Sequence, residues 1–358
     1  MIGSRNRYIE VKTAKETPDT IGGRTTVFSS AKKLWAKIRP LTGSRALEYG
    51  QLGTNKGYEI EVPYFSEIQI TEKSIIIYSR RTLVIHSVID AGEGNRTKII
   101  IAFESASGNV FCDKYQAVYD AMTTPPSTDI AKAQDTMVKA LIDGGVWDKL
   151  DFFCLFAQES NDGSEALVNW IRPGTFDATL SGAPTFTSLE GLTGDGSGYV
   201  DHNWNPSSDA LNYALDDACF FCYCRTNKDE AKYDLGSWDS PNFAAAFLRS
   251  SGQTLAYVNS SNAAFVPSGV TDSRGFYIFQ RAAAGSQQIY KNGTLIRNES
   301  DASTALPDDN FKSLGAGSSR ATKQLSAVGA GSALDADERD ALQDAIETYM
   351  DSNSKGVI

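Results

Sequence analysis

The sequence predicts a mainly β protein: a small N-terminal β-barrel over residues 1–107, a short helical connector over 108–149, and a C-terminal β-sandwich with a closing helix over 150–358. Three observations predict it. Short runs in which apolar and polar residues alternate recur along most of the chain, separated by Gly, Ser, Asn and Pro. A period of two marks a strand. Helical spacing of apolar residues is confined to one stretch around 113–149 and one after 335. Finally, 358 residues exceed what one ordinary core encloses, so two or three domains are expected.

In the first part, Tyr58, Ile60, Val62 and Tyr64 alternate with Glu59 and Glu61, as in a half-buried strand. Further strands are expected at Glu67–Ile70, Ser74–Tyr78, Thr82–Val88 and Lys98–Phe103, joined by polar turns. Short strands with short turns form a meander that closes into a small barrel. Tyr115–Met122 reads as a short helix that stops at Thr123-Thr-Pro-Pro126. Ser127 or Thr128 then caps a longer helix that ends at Gly144-Gly145. Ile130, Ala133, Met137, Val138, Leu141 and Ile142 share one face of it, so the pair packs on a domain and is not a free linker.

Beyond residue 150, Asp151–Ala157, Ala166–Ile171, Gly198–His202, Ala218–Thr226, Phe243–Arg249, Thr254–Asn259, Gly275–Arg281 and Gln287–Lys291 read as strands. Two sheets packed face to face are the natural arrangement for so many short strands. Tyr290-Lys-Asn-Gly293 reads as a hairpin, because Asn-Gly accepts the positive φ angles of a tight turn. In the closing helix, Asp335 and Glu338 form a capping box, and Leu342, Ala345, Ile346 and Tyr349 a buried stripe.

The formal net charge of −10 is unevenly spread. Residues 1–105 hold 16 Lys/Arg against 11 Asp/Glu, whereas the remainder holds 18 against 33. A basic segment ahead of an acidic body fits contact with an acidic partner or nucleic acid, and an ordinary solvated segment fits it too. The five cysteines are odd in number and irregularly spaced, which argues against a disulfide framework. Cys219-Phe-Phe-Cys222 lacks two further zinc ligands nearby, so buried reduced thiols are expected. No apolar run approaches the ~18 residues of a membrane span, and no apolar segment follows the charged N-terminus. Synthesis in the cytoplasm, with neither a signal peptide nor a membrane role, is therefore expected.

Residues 5–105 resemble the tailed-phage head-closure, or stopper, family of head–tail connectors. The resemblance rests on Leu34-Trp-Ala-Lys-Ile-Arg-Pro-Leu-Thr-Gly43, Glu59-Ile-Glu-Val-Pro-Tyr64, Tyr78-Ser-Arg-Arg-Thr-Leu-Val-Ile-His-Ser-Val88 and Asn95-Arg-Thr-Lys-Ile-Ile-Ile-Ala102, in that order. Leu83 stands where the family has an aromatic residue, and the strand near Val62 lacks the family's usual Arg. Residues 113–355 are similar to a concanavalin A-like, or laminin G-like, jelly-roll sandwich. That similarity is carried by Leu150-Asp-Phe-Phe-Cys-Leu-Phe-Ala157, Val168-Asn-Trp-Ile171, the Gly-rich Phe186–Asp201 stretch, Tyr290-Lys-Asn-Gly293 and the closing helix. The first resemblance implies a virion neck protein. Its barrel would form a homo-oligomeric ring of six or twelve copies between portal or adaptor and tail-terminator proteins, retaining packaged DNA in the channel. The second implies an outward domain for glycan or protein contacts.

Hydrolases on such a sandwich need carboxylates spaced Glu-x-Asp-x-x-Glu, and no such string occurs, so no enzyme activity and no cofactor or metal are expected. Only His86 and His202 are available for Ser-His-Asp chemistry; His86 reads as structural and His202 as a loop residue. A calcium site is conceivable from Asp195, Asp201 or Asp216-Asp217, although isolated acidic loop residues are usually just solvated. Sugar binding needs an aromatic plate beside polar groups. The candidates are Trp204 with Asp201 and Asn203, and Trp238 with Asp239 and Asn242, although each Trp also reads as packing. Trp35, Trp147 and Trp170 are assigned to cores or domain contacts. Lys32, Lys33, Lys37, Arg39, Arg80 and Arg81 are the candidates to face DNA or a neighbouring ring protein.

Overall fold

The structure, a computed structural model, describes residues 7–18, 24–28, 32–41, 57–63, 68, 70–78, 81–91, 97–104 and 111–358. The chain folds as two compact units, Met1–Val110 and Phe111–Ile358.

The first unit contains β1 (Arg7–Lys12), β2 (Ala14–Pro18), β3 (Arg24–Phe28), β4 (Lys32–Pro40), β5 (Gly57–Pro63), β6 (Ile75–Tyr78), β7 (Arg81–Ala91) and β8 (Thr97–Glu104). Six of these close a barrel in the order β1-β4-β5-β8-β7-β6, while β2 and β3 form a separate hairpin. Every second side chain points inward, so Ile9, Val11, Leu34, Ala36, Ile60, Val62, Leu83, Ile85 and Ile100 make the core. The first four strands are not apparent from the sequence. In β4 an inward Ala36 and an outward Trp35 blur the contrast on which the period-two pattern depends. The strand expected at Glu67–Ile70 does not form at Ile68 and Ile70; Glu67 and Gln69 lie outside the described residues.

The second unit opens with helices α1 (Asp113–Ala121) and α2 (Thr128–Asp143) and ends with α3 (Ala336–Ser352). Ser127 sits at the N-cap of α2, but its side chain makes no capping bond; its N–H instead donates to Glu159 at 2.6 Å. Gly144 and Gly145 close α2 in a Schellman arrangement, with Val146 N–H to Leu141 O at 2.9 Å and Gly145 at φ +73°. The buried face of α2 is carried by Ala131, Gln134, Met137, Val138 and Leu141. Ile142 is exposed, against expectation. The capping box of α3 forms as expected, and Leu342, Ala345, Ile346 and Tyr349 are buried.

Between the helices lie β9 (Leu150–Leu155), β10 (Thr179–Ser181), β11 (Thr185–Thr187), β12 (Gly191–Thr193), β13 (Tyr199–Asp201), β14 (Ala218–Cys224), β15 (Leu235–Asp239), β16 (Asn242–Ser250) and β17 (Gln253–Ser260). They continue with β18 (Ala264–Val266), β19 (Gly275–Ala283), β20 (Ser286–Lys291), β21 (Thr294–Glu299), β22 (Lys312–Ser313), β23 (Gly315–Ala316), β24 (Ser319–Arg320) and β25 (Gln324–Gly331). One sheet runs β10-β13-β22-β15-β16-β17-β18; the other runs β11-β12-β25-β14-β19-β20-β21, with β9 also paired to β25. The helices cover the outer face of the second sheet, giving three layers. Consequently β9 and β14 are buried on both faces. Phe152, Cys154, Phe220 and Cys222 enter the core between the sheets, while Phe153, Leu155, Phe221 and Tyr223 enter the core under the helices.

This double burial explains the principal omission in the sequence reading. Strand β25, Gln-Leu-Ser-Ala-Val-Gly-Ala-Gly, has the composition of a loop, yet it is central and fully paired. It must be small because aromatic neighbours press on it: a Cβ on Gly329 would lie 2.4 Å from Phe221. By contrast, the expected strand Ala166–Ile171 is only a short 3-10 turn at Glu165–Leu167. There the buried Glu165 carboxylate accepts Thr124 N–H at 2.7 Å and Gly163 N–H at 2.8 Å, tying the turn to the start of α2. The Asn292-Gly293 hairpin turn forms with φ +49° and +75°, as its residues demand.

Candidate assembly surface and ligand loops

On the barrel wall four basic candidates are strung along β4, and three of them, Lys33, Lys37 and Arg39, stand opposite a carboxylate on a neighbouring strand. Lys33 lies 3.6 Å from Glu10, Lys37 3.9 Å from Glu61 and Arg39 3.6 Å from Glu59. Lys32 is exposed at the strand's start. Arg81, on β7, donates to Glu104 at 2.7 Å and to Tyr58 Oη at 2.9 Å. Burial, reinforced by the Glu104 carboxylate, pushes the Tyr58 phenol above its ordinary range. Arg80 lies outside the described residues. The wall is therefore a ladder of cross-strand ion pairs and not an uncompensated cationic strip. Exposed pairs of this kind contribute about 0–1 kcal/mol each, and they specify orientation more than strength.

Trp35 is not a core residue. It stands on the outer face of β4 directly opposite Tyr8 of β1, with ring centroids 3.6 Å apart. Trp147 and Trp170 are buried under the helices, as expected. His86 is exposed on the outer face of β7 and meets Phe103 edge-on at 5.7 Å.

In the second unit, Trp204 is fully buried and packs against Phe152 and Tyr213. A ring with no free face cannot stack on a sugar. His202, read as a loop residue, is likewise a core residue. Its ring stacks on Phe152 at 4.6 Å, Nε2 lies 2.7 Å from Ser313 Oγ, and burial pushes its pKa down to about 3. Trp238 is half-buried on the outer face of its sheet. Phe243 covers one of its faces at 3.8 Å, and Tyr233 lies 4.6 Å away. It belongs to a self-packed aromatic row and is not an open plate.

The polar candidates do come together. Asp239 and Asn242 pair across the β15–β16 turn. Asp201 accepts from Asn203 N–H at 2.8 Å and from Asn310 Nδ2 at 3.0 Å. Asp308 accepts from Asn205 at 2.9 Å, and its N–H points to Asp239 at 3.4 Å. Both groups thus converge on the segment Asp308-Asp-Asn310, which sequence reasoning missed because nothing in its spacing links it to positions a hundred residues earlier. The cysteines are free thiols; burial raises Cys154, Cys219, Cys222 and Cys224 well above the range in which they react. Among the described residues no helix is long and apolar enough to cross a membrane.

Residues 1–105 match the family model described as phage head completion protein. No curated protein matches the chain. Among solved structures, a protein from Shigella flexneri 2a is 23% identical over 29% of this chain and 96% of its own, with a TM-score of 0.25. A chain from the virion of a native gene transfer agent particle is 22% identical over 28% of this chain and 93% of its own, with a TM-score of 0.23. Trypanosoma rangeli sialidase in complex with sialic acid is 9% identical over 91% of this chain but 54% of its own, with a TM-score of 0.39. The family match covers the strands of the barrel and leaves residues 106–358 outside it.

Proposed function

We propose that the protein acts in the neck of a tailed-phage particle as a head-closure component. The observation that supports this most strongly is that the head completion match coincides with the six strands of a closed barrel. In this reading residues 1–107 assemble as a ring of six or twelve copies between portal or adaptor and tail-terminator proteins, retaining DNA in the channel. Residues 108–149 are the connector to the outward sandwich at 150–358. The mechanism is mechanical: a ring of small rigid barrels closes the exit and offers a docking face, with no turnover. The paired charges of the β4 wall suit protein neighbours better than DNA, because Lys33, Lys37 and Arg39 already have carboxylate partners.

For the sandwich we propose contact with glycans or other virion proteins through the loops around Asp201, Asn203, Asp239 and Asn242. Trp204 and Trp238 would then support those loops from behind.

Quantitative mass spectrometry of purified particles tests the main reading. It expects about six or twelve copies per virion, lost together with tail attachment when the gene is deleted. Particles that lack the chain, or a stable free monomer that never enters them, would overturn it. Polysaccharide hydrolysis abolished by an acidic substitution would overturn the non-enzymatic part.

A further inference from the structure

We propose that the barrels join head to tail, the Tyr8–Trp35 wall of one copy packing on the Val84–Ile89 wall of the next. This rests on the ring reading above and specifies its contact. In the closed order β1-β4-β5-β8-β7-β6, β4 and β7 are three strands apart and so lie on opposite walls. Each wall exposes large apolar side chains in cross-strand register. On one, Tyr8 opposes Trp35, and they are 54% and 48% exposed. On the other, Val84 opposes Phe103 and Ile89 opposes Ile99, with Val84 47% and Ile89 46% exposed. A register shift between Ile85 and Ser87 creates this second wall: it keeps Val88 against the core and turns Ile89 outward. Scattered surface apolar residues need no explanation, but stacked pairs on two opposite walls of one small barrel do.

Charge selects the partner. Around Trp35, Lys33 and Arg39 are more exposed than Glu10 and Glu59, while Lys37 and Glu61 are about equally exposed. Beside Ile89 the order is reversed, and Asp90 is more exposed than Lys98. Near Val84, at the other end of β7, Arg81 is more exposed than Glu104, so the acidic excess of this wall is confined to its Ile89 end. Two Trp35 walls facing each other would bring Lys33 and Arg39 of both copies together. A Trp35 wall facing an Ile89 wall sets cations against a carboxylate around an apolar centre. A contact between unlike patches is heterologous, and a heterologous contact closes into a ring when its rotation divides the circle.

The test uses the full chain with Trp35→Glu or Ile89→Glu, read by sedimentation velocity and native mass spectrometry. The wild type is expected to form higher oligomers, and each variant alone to sediment as a monomer. An equimolar mixture is expected to give a one-to-one heterodimer and nothing larger, because one intact pair of walls remains. That heterodimer also shows that both variants are folded. Either variant assembling like wild type would overturn the wall assignment and leave the ring reading standing, as would a mixture that stays monomeric. A wild type that is monomeric at every concentration would overturn both.

Discussion

The barrel and the sandwich bury their chains in different ways. In the barrel a single sheet encloses a core of short aliphatic side chains, with Tyr58 the one buried aromatic among the described residues and Tyr78 packed at its edge. A closed sheet has one inside, so every other residue is left outside, and some of those outside are large and apolar: Tyr8, Trp35, Val84 and Ile89. The second unit has three layers and two cores, which take up Trp147, Trp170, Trp204 and most of the phenylalanines. It also buries polar groups with dedicated partners, such as Gln134, which accepts from Tyr115 Oη at 2.6 Å and donates to Gln158 at 2.8 Å. The small unit leaves a tryptophan stacked on its surface; the large one exposes single apolar residues such as Leu211 and Phe265 but encloses Trp147, Trp170 and Trp204. The barrel should therefore be sensitive on its surface and the sandwich in its interior.

The most severe test of that contrast is in the sandwich. Lys323 is wholly buried, with Nζ 3.0 Å from Asp234 and 3.4 Å from Glu230. Burial pushes Asp234 up to about 6 even against the pull of Lys323. Burial alone would lower Lys323, but the two carboxylates outweigh it and its pKa is raised, so both groups are charged at neutral pH. Removing the nearer carboxylate with Asp234→Ala leaves the buried cation with Glu230 alone, at 3.4 Å, and is expected to cost about 3–5 kcal/mol. Chemical denaturation would measure this, with barrel assembly unchanged; a loss under 1 kcal/mol would break the contrast.

A smaller effect is expected from pH. Because His202 is held neutral with a pKa near 3, the unfolded chain binds its proton and the folded chain does not throughout the interval from about 3 to the ordinary value of 6.5. The stability this contributes is complete above 6.5 and is lost as pH falls, at about 1.4 kcal/mol per pH unit. Asp234 acts in the opposite sense between its ordinary 3.8 and about 6, since a raised carboxyl pKa favours the folded state as pH falls. The difference between wild type and His202→Gln isolates the histidine. Melting curves of the two from pH 7 to 4 should converge, and parallel curves would contradict a buried neutral imidazole.

The smallest effect is expected on the barrel wall. Lys37→Ala breaks a half-exposed pair with Glu61 and is expected to change stability by less than about 1 kcal/mol. A larger loss, measured on the same denaturation curves, would mean that the ladder holds the barrel together and does not merely decorate it.

Part of this architecture is legible in the residues. Wherever a strand has one wet face, as in Gly57–Pro63, alternation gives it away. The capping box at Asp335 and the Asn292-Gly293 turn are local chemistry, satisfied by residues within four positions of one another. The candidate site was less legible. The polar side chains of Asp201, Asn203, Asp239 and Asn242 stand out in the sequence, but their convergence on Asp308-Asp-Asn310 is not visible there, and Trp204 and His202 give no sign of lying inside a core.

By itself, then, the sequence determined the elements whose signals are local: mainly β-strands in short runs, three helices in their places, free thiols and an uneven charge. Only the tertiary structure decided which faces are covered. A second layer over β9 and β14 turns alternating strands into wholly buried ones and forces β25 to be small. Closure of the barrel puts Trp35 on an outer wall opposite β7. Burial is a property of what packs against a residue, and that partner comes from elsewhere in the chain.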